Sequence, residues 1–228
     1  MPDSSAAPIT PLQGPADRLG PHIAFFFHQL TPPVIAPLFL IAVAARIYVG
    51  SWTLFDLILI VGLVSVQSGT EWVLHRYVLH FGPRPMFGRE VDIHPSRAHR
   101  RHHENPNDLS TVFVGPIGTV VFLVVLASLC FLLFRTSPLL LTGLCVGMVL
   151  LLAYEWTHFL LHTAYEPRRA YYRHLKRAHG FHHFQNEWYW MGITGYAFDK
   201  LVGTFKEPDE VPLTELSITA RQAVGLPA

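Results

Sequence analysis

Four apolar stretches, each long enough to cross a lipid bilayer, constrain the fold of this chain more than any other feature. They run from about residue 34 to 49, with a start as early as residue 25, and over residues 54–74, 112–134 and 139–159. A crossing requires about 20 apolar residues. Half of the 228 residues are hydrophobic and only 14% are charged, whereas soluble domains average about 25% charged residues. The sequence predicts an all-α integral membrane fold with four transmembrane helices, rather than a helical bundle buried in water.

The distribution of arginine and lysine predicts how these helices are oriented. Only Gly50–Trp52 and Arg135–Pro138 separate the first from the second stretch and the third from the fourth, so both pairs are antiparallel hairpins. The basic residues of the middle loop and of the segment after the fourth stretch are Arg84, Arg89, Arg97, Arg100, Arg101, Arg168, Arg169, Arg173, Lys176 and Arg177. The opposite side has only Arg46 and Arg135. Because cytoplasmic loops are enriched in these residues, we expect the middle loop and the C-terminal segment to face the cytoplasm.

Histidine is unusually frequent, and most of it is clustered. The chain contains 14 histidines. Ten of them form four boxes, "HRYVLH", "HRRHH", "HFLLH" and "HGFHH": His75, His80, His99, His102, His103, His158, His162, His179, His182 and His183. By the orientation above, every box lies at the cytoplasmic boundary of the membrane. The other four, His22, His28, His94 and His174, are interpreted as ordinary surface or boundary residues.

The spacing within three of the boxes is helical. Residues at i, i+3 and i+4 share one side of a helix, so the histidines of each "HxxHH" box can converge on a shared target. His75 and His80 are five residues apart, which a regular helix would splay by roughly 140°. Either the helix bulges there or His80 lies beyond its end, and the following Gly82 and Pro83 favour the second alternative.

So many imidazoles on one surface indicate a metal centre. They would repel one another if protonated and would lack partners if buried as neutral rings. Imidazole is a suitable ligand for iron, zinc, copper and nickel. Since one ion takes about four to six ligands, ten histidines predict two ions, and hence a cytoplasmic histidine-rich dimetal cap. The alternative is a basic, lipid-facing surface in which the histidines are incidental.

Two carboxylates precede histidines of the boxes within the apolar stretches. Glu71 lies one turn before His75, and Glu155 lies three residues before His158. A metal-bound histidine usually donates its second N–H to a carboxylate or a carbonyl, and a carboxylate inside a span requires a partner. Each glutamate therefore either supports a ligand or forms an interhelical hydrogen bond.

The four boxes on a four-span frame resemble the fatty acid hydroxylase and sterol desaturase superfamily. Within it, "LHRYVLHF" around the first box, the long loop that follows and "GITGYAFDKLVGTF" after the last box are most similar to the fatty acid 2-hydroxylase branch. The resemblance covers about Glu71 to Phe205 and includes all ten box histidines. It implies a membrane enzyme of the oxidoreductase class, a non-haem diiron monooxygenase, that uses dioxygen and two electrons to insert a hydroxyl group into a lipid acyl chain.

The resemblance also implies roles for individual residues. The metal ligands would be the ten box histidines, binding two iron ions, which zinc can replace during purification. Tyr154 and Glu155 match positions beside the third box that line or support the site, and are the predicted catalytic residues. The domains would be a disordered tail over residues 1–24, a membrane hydroxylase domain over 25–206 and a C-terminal tail over 207–228.

Partners and location follow from the same comparison. Many eukaryotic members begin with a cytochrome b5 domain, and the first thirty residues here contain no haem-ligand motif. We therefore expect a separate electron donor, a cytochrome b5-like protein, a ferredoxin or a reductase, and a membrane lipid as substrate. The net charge of +1 argues against nucleic acid. The membrane would be the inner membrane of a bacterium or the endoplasmic reticulum of a eukaryote, with the metal site on its cytoplasmic face.

Two alternatives stay open. One is a carotenoid or sterol hydroxylase or desaturase of the same superfamily, although carotenoid hydroxylases usually have a shorter loop between the first two boxes. The other is a membrane metal-binding or transport protein. Transporters usually place their polar ligands near the bilayer midplane, whereas these histidines lie at one edge.

Overall fold

Helices dominate the computed structural model, which describes residues 18–227. The helices are α1 (Gly20–His28), α2 (Thr31–Val49), α3 (Leu54–Leu74), α4 (His94–Glu104), α5 (Pro116–Phe134), α6 (Leu139–Leu161), α7 (Ala170–Phe184), α8 (Ala197–Val202) and α9 (Glu215–Ala223). A π-helical turn (His75–Leu79) continues α3, and short 3-10 turns cover Leu109–Thr111 and Pro208–Glu210. Strands β1 (Arg84–Met86) and β2 (Arg89–Val91) form an antiparallel hairpin in the middle loop. The all-α prediction did not include this hairpin.

The prediction of four membrane spans is confirmed. Within residues 18–227, four helical segments are long and apolar enough to cross a bilayer: Thr31–Val49, Leu54–Leu79, Leu109–Phe134 and Leu139–Leu161. Only 6% of the most apolar window of the second segment and 11% of that of the third are buried within the protein. Side chains such as Val124 and Leu133 are 60% and 71% exposed. An apolar surface of this extent is stable in lipid rather than in water, so the chain is an integral membrane protein.

The predicted tails differ from the structure at their inner ends. Residues 20–24, which were assigned to the disordered tail, begin α1, and the C-terminal tail contains α9. Helix α9 begins with a capping box in which the Thr214 hydroxyl accepts from the Ser217 amide and the Ser217 hydroxyl accepts from the Thr214 amide, satisfying amides that lack partners inside the helix. Residues 1–17 of the N-terminal tail lie outside the described residues, and the three-part division of the chain stays a prediction.

Two compact units make up the chain. The first contains the residues up to His22, Ser68–Val112 and Thr157 onward, and the second contains Ile23–Gln67 and Phe113–Trp156. All ten box histidines belong to the first unit. The second unit consists of the apolar parts of α2, α3, α5 and α6, packed around Ile35, Ala42, Met148 and Leu151.

A buried ion pair joins three helices of the second unit. Arg46 near the end of α2 is 2% exposed, and its Nη2 donates to Asp56 Oδ1 at 2.7 Å. Its Nε donates to Thr142 Oγ1 at 2.8 Å, and that hydroxyl donates to Asp56 Oδ1 at 2.6 Å. The Thr53 amide donates to Asp56 Oδ2 at 2.8 Å. Because every charged group has partners, the network withstands burial that would destabilise an isolated charge.

Asp56→Asn is expected to destabilise the protein by about 3–5 kcal/mol, because it leaves the buried Arg46 guanidinium without its counter-ion. The measurement is the thermal unfolding midpoint in detergent, compared with Arg135→Gln, which removes a charge from an exposed position. Equal midpoints for the two variants would show that the buried pair does not stabilise the helices.

Candidate metal centre

The first histidine box combines both alternatives that the sequence left open. The chain continues past α3 as a π turn, in which the His80 amide donates to the His75 carbonyl at 3.0 Å. The bulge that the sequence disfavoured is therefore present, and His80 directly follows its last residue. This extra residue in the turn brings two histidines five positions apart toward the same side, with ring centroids 5.0 Å apart.

The ten box histidines form two groups of five. In each group, one ring nitrogen from every residue lies within 4.8 Å of the others. Group one consists of His75, His80, His99, His103 and His182, and group two consists of His102, His158, His162, His179 and His183. Two ligand nitrogens about 2.1 Å from one ion are at most about 4.2 Å apart, which is close to the 4.8 Å limit within each group, so each group is positioned to bind a metal ion.

Each "HxxHH" box is divided between the groups, contrary to the expectation of one shared target. On α4, His99 and His103 belong to group one and His102 to group two. On α7 the assignment is reversed, because His179 and His183 belong to group two and His182 to group one. At about 100° per residue, the residue at i+3 is turned by about 60° to one side of residue i and the residue at i+4 by about 40° to the other side, so the middle histidine can meet a different group. The repeated motif therefore links the two groups, since each helix contributes two nitrogens to one group and one to the other.

The donor set fits metal ions, because ring nitrogens of different histidines face one another within each group. In group one, His75 Nε2 lies 3.0 Å from His99 Nε2, and His182 Nε2 lies 3.2 Å from His103 Nε2. His75 Nδ1 is 2.7 Å from the Met191 carbonyl, and His182 Nδ1 is 2.7 Å from the Tyr189 carbonyl. A carbonyl only accepts, so both Nδ1 atoms donate, and in the neutral rings both Nε2 atoms present lone pairs to the group. A cation between such lone pairs converts repulsion into ligation.

Group two has the same chemistry. His162 Nε2 and His179 Nε2 are 2.7 Å apart, and His183 Nε2 lies 3.1 Å from His179 Nε2. The His102 ring approaches the Thr111 hydroxyl through Nδ1 at 3.3 Å. Its Nε2 is buried and has no hydrogen-bond partner among the described residues, so this nitrogen is available to an ion.

Burial keeps the histidines neutral. It lowers the pKa of His80, His99, His103 and His182 in group one well below the ordinary value of histidine, and neighbouring imidazoles lower the pKa further. The pKa values of His102, His162, His179 and His183 in group two are lowered by the same causes. Metals bind the neutral imidazole, so the site is in its binding form at neutral pH.

An aromatic residue covers group one. The Trp188 ring lies 5.5 Å from the His80 ring and is 39% exposed. The Arg76 guanidinium lies 4.4 Å from the same indole ring, and its Nη1 donates to the Trp188 carbonyl at 3.1 Å. The sequence analysis did not identify this cover, because Trp188 is separated from the first box by more than one hundred residues.

Glu71 binds the backbone segment that supports His75, and the hydrogen bonds described for it do not go to His75 itself. Its Oε2 accepts from the Thr194 amide at 2.9 Å and from the Ile193 amide at 3.3 Å, and its Oε1 accepts from the Thr194 hydroxyl. His75 is instead supported by the Met191 carbonyl, in the same segment of chain. The same segment is bound by Asp199, which accepts from the Met191 amide at 2.9 Å. In the sequence, Asp199 stands within the motif "GITGYAFDKLVGTF". That motif was the one signal that could have identified it.

Glu155 on α6 contacts the loop that precedes α5. Its Oε1 accepts from the Val114 amide at 2.8 Å, and its Oε2 is buried without a hydrogen-bond partner among the described residues. Tyr154 packs against the apolar cluster of the second unit. The catalytic roles of Tyr154 and Glu155 stay predictions from the resemblance.

One of the remaining histidines is not on the surface. His22 is 3% exposed, its ring lies 6.0 Å from the Tyr165 ring, and its Nδ1 is 2.9 Å from the Arg18 carbonyl. His28, His94 and His174 are exposed, as expected.

Comparisons with known proteins agree with the histidine pattern. A family model described as fatty acid hydroxylase matches residues 59–204, more than half of the chain, and confirms the predicted resemblance. A dihydroceramide fatty acyl 2-hydroxylase of Arabidopsis thaliana is 32% identical over 136 residues, covering 59% of this chain and 54% of the relative. The ceramide very long chain fatty acid hydroxylase SCS7 of Saccharomyces cerevisiae is 28% identical over 155 residues, covering 67% of this chain and 39% of the relative. The aligned region thus spans about half, or less, of these relatives.

The fold is also similar to a solved structure. Full-length Scs7p, in which only the hydroxylase domain is visible, matches with a TM-score of 0.68 and 24% identity. The match covers 83% of this chain and 69% of that chain. At this identity the likeness concerns the fold alone.

Proposed function

Because the chain belongs to the fatty acid hydroxylase family, we propose that it is a dioxygen-dependent membrane lipid hydroxylase with a histidine-rich diiron centre. The observation that carries the proposal is the pair of five-histidine groups, whose ring nitrogens converge within 4.8 Å in each group. The curated relatives are named as fatty acyl and ceramide hydroxylases, which supports an acyl chain as the substrate. In this proposal the ten box histidines are the metal ligands, and zinc can replace iron during purification.

The role of the protein is to hold and insulate the metal centre. When bound, two iron ions supply the activation of dioxygen that an unreactive C–H bond requires, with two electrons from a separate donor protein. The histidines bind through neutral nitrogens, and the carbonyls of Tyr189 and Met191 hold the Nδ1 protons of His182 and His75. The buried rings also exclude bulk water, since all ten box histidines are at most 9% exposed.

The position of the centre favours attack at carbon 2 of the acyl chain. His75 directly follows α3, and His158 and His162 lie at the end of α6, so both groups take ligands from the ends of apolar spans. Carbon 2 is next to the polar head of a fatty acid and lies near the membrane boundary. A carbon deeper in the bilayer would need a lifted chain, at about 0.8 kcal/mol per exposed methylene. The substrate class is a free, activated or amide-linked fatty acid.

The partners and location follow from this chemistry. We infer a separate electron donor, a cytochrome b5-like protein, a ferredoxin or a reductase, that reaches the centre from the cytoplasm. The arginine and lysine distribution supports histidine groups on the cytoplasmic face of the membrane, which we infer to be the inner membrane in a bacterium or the endoplasmic reticulum in a eukaryote.

Expression of the protein with a suitable electron donor under isotopically labelled dioxygen is expected to produce 2-hydroxy acyl lipids that contain the label. Mass spectrometry of total lipids makes the measurement, and the same host without the gene is the control. Label found only in sterols or carotenoids would contradict the acyl substrate. The absence of labelled lipid, although the purified protein holds its metal, would contradict a hydroxylase and favour a metal-binding or transport protein.

The topology is tested with reporter fusions. A reporter that is active only in the cytoplasm is expected to be active after residue 228 and within the middle loop, because both segments carry the excess of basic residues. A fusion in the short turn at Ser137 is the matched control and is expected to be inactive. The reverse pattern would place the histidine groups on the opposite side of the membrane.

A further inference from the structure

We propose that Asp199 is a positioning residue for the metal ion of group one. It holds the backbone turn Tyr189–Met191, whose two outer carbonyls orient His75 and His182. The inference rests on the proposed metal centre. The hydrogen bonds described for the Asp199 carboxylate go to Met191, Gly192 and Thr204, so its role in that centre is indirect.

The turn supports two ligands of the same group. The Met191 carbonyl accepts from His75 Nδ1 and the Tyr189 carbonyl accepts from His182 Nδ1, both at 2.7 Å. These rings come from the π turn and from α7, more than one hundred positions apart in sequence. A shift of this one turn would therefore displace two of the five nitrogens of group one.

The conformation of the turn requires external support. Trp190 has a φ of +53°, in a region that bulky residues rarely adopt because it is strained. Its amide donates to the Thr204 carbonyl and its Nε1 to the Lys206 carbonyl, both at 3.1 Å. The indole is 1% exposed. The surrounding contacts thus hold Trp190 in a conformation that places the carbonyls before and after it toward the histidines.

Asp199 anchors the C-terminal side of the turn. Its Oδ1 accepts from the Met191 amide at 2.9 Å and its Oδ2 accepts from the Gly192 amide at 2.8 Å. The Thr204 hydroxyl also donates to Oδ1, at 2.6 Å, and accepts from Trp72 Nε1 at 3.0 Å. The Asp199 side chain is completely buried. Donors approach both oxygens, and these contacts oppose the burial that raises the pKa of the Asp199 carboxyl. Hydrogen bonds to an ionised carboxylate are stronger than neutral ones.

The chain after the turn is fixed as well. Glu71, one helical turn before His75, accepts from the amides of Ile193 and Thr194. At Gly192, a Cβ atom would lie 2.0 Å from the Gly195 carbonyl oxygen, so this close approach is possible only without a side chain. The segment is thus tied to the helix that bears His75 and to the helix that bears Asp199.

The hydrogen bonds described for the two outer carbonyls of the turn go to group-one rings, His75 and His182. His102 of group two instead approaches the Thr111 hydroxyl, at 3.3 Å. Loss of Asp199 should consequently weaken one metal site and leave the other. A general loss of stability would weaken both.

Asp199→Asn is the direct test. An asparagine replaces one acceptor oxygen with an NH₂ group, which would face a backbone amide. Residues that orient metal ligands typically change metal affinity by 10–100-fold when replaced. We expect the purified variant to hold one tightly bound ion per chain instead of two, with the second released at a 10–100-fold lower concentration of chelator. The measurement is metal content by mass spectrometry after dialysis against a graded series of chelator concentrations.

Paired variants identify which ion is lost. His80→Ala removes a ligand of group one and His162→Ala removes a ligand of group two. Adding Asp199→Asn to His162→Ala should remove both ions, whereas adding it to His80→Ala should cause no further loss. The opposite pattern, or equal loss in both backgrounds, would overturn the assignment.

A matched control separates positioning from stability. Asp56→Asn also removes a buried charge, but in the second unit, and should lower the unfolding temperature while both ions stay bound. Loss of metal from both carboxylate variants in the same proportion would show that Asp199 is only structural. If Asp199→Asn does not fold, Thr204→Val, which removes one donor to the carboxylate, should show the same selectivity with a smaller effect, and non-selective loss would overturn the proposal.

The outcome is distinguishable from failure of the proposed function. Two ions in the wild-type protein and two equally retained ions in Asp199→Asn would overturn the positioning role and leave the metal centre intact. No metal in the wild-type protein would overturn both.

Discussion

His182→Ala is expected to reduce the bound metal from about two ions per chain to one and to abolish hydroxylation. The loss of activity should exceed ~100-fold, the upper range for residues that only support a ligand. His182 lies on α7 between two residues of group two, yet belongs to group one, so the variant should release the ion of group one. Metal analysis and turnover of a labelled acyl substrate make the measurement.

The matched control is on the same helix. His174 is exposed on α7 and its Nδ1 contacts only the backbone in its own turn, the Ala170 carbonyl at 2.8 Å. His174→Ala should keep both ions and full activity. His102→Ala, the corresponding change on α4, should release the ion of group two instead. Full metal occupancy in both His182→Ala and His102→Ala would show that the groups do not bind the ions.

Acidification is expected to destabilise the metal-free protein steeply below about pH 6.5. Burial lowers the pKa of group-one residues such as His99 and His103 and of group-two residues such as His179 and His183. Above the pKa of about 6.5 that histidine has in an unfolded chain, neither state takes up a proton, and stability is unaffected. Below it, the unfolded chain binds protons that the folded site cannot, at about 1.4 kcal/mol per pH unit for each such histidine.

The measurement is the unfolding midpoint of chelator-treated protein between pH 7.5 and 5.5. Several buried histidines contribute together, so the decrease should be large. A His174→Ala control keeps all ten buried rings and loses only an exposed one, and should show the same decrease. A midpoint that is unchanged over this range would show that the buried rings are protonated without cost in the folded protein.

Local sequence was sufficient for the spans and for the ligand candidates. The apolar runs predict four helices because a bilayer requires about 20 apolar residues whatever the rest of the chain does. The spacing of His158 and His162 predicts a shared face because helix geometry is local. The family resemblance depends on the same local motifs. Departures in secondary structure occur where a short-range choice was open, such as α1 at the edge of the tail and the hairpin in the middle loop.

The buried polar networks required the tertiary structure. Arg46 and Asp56 were not paired by any motif, and their contact depends on how two helices end and begin around the turn at Gly50. Glu71 was identified from its spacing to His75, but its partner Thr194 was not, because Thr194 lies more than one hundred residues away in the sequence. Partners so distant in sequence are selected by packing, and periodicity contains no information about them.

The sequence by itself determined that this is a four-span membrane protein of the fatty acid hydroxylase family with ten candidate ligands. Only the tertiary structure decided how these histidines divide. The extra residue of the π turn brings His75 and His80 together, and the division of each "HxxHH" box follows from the packing around α4 and α7. The physical reason is that a helix defines which residues share a face, whereas the group that each face meets depends on contacts between segments far apart in the chain.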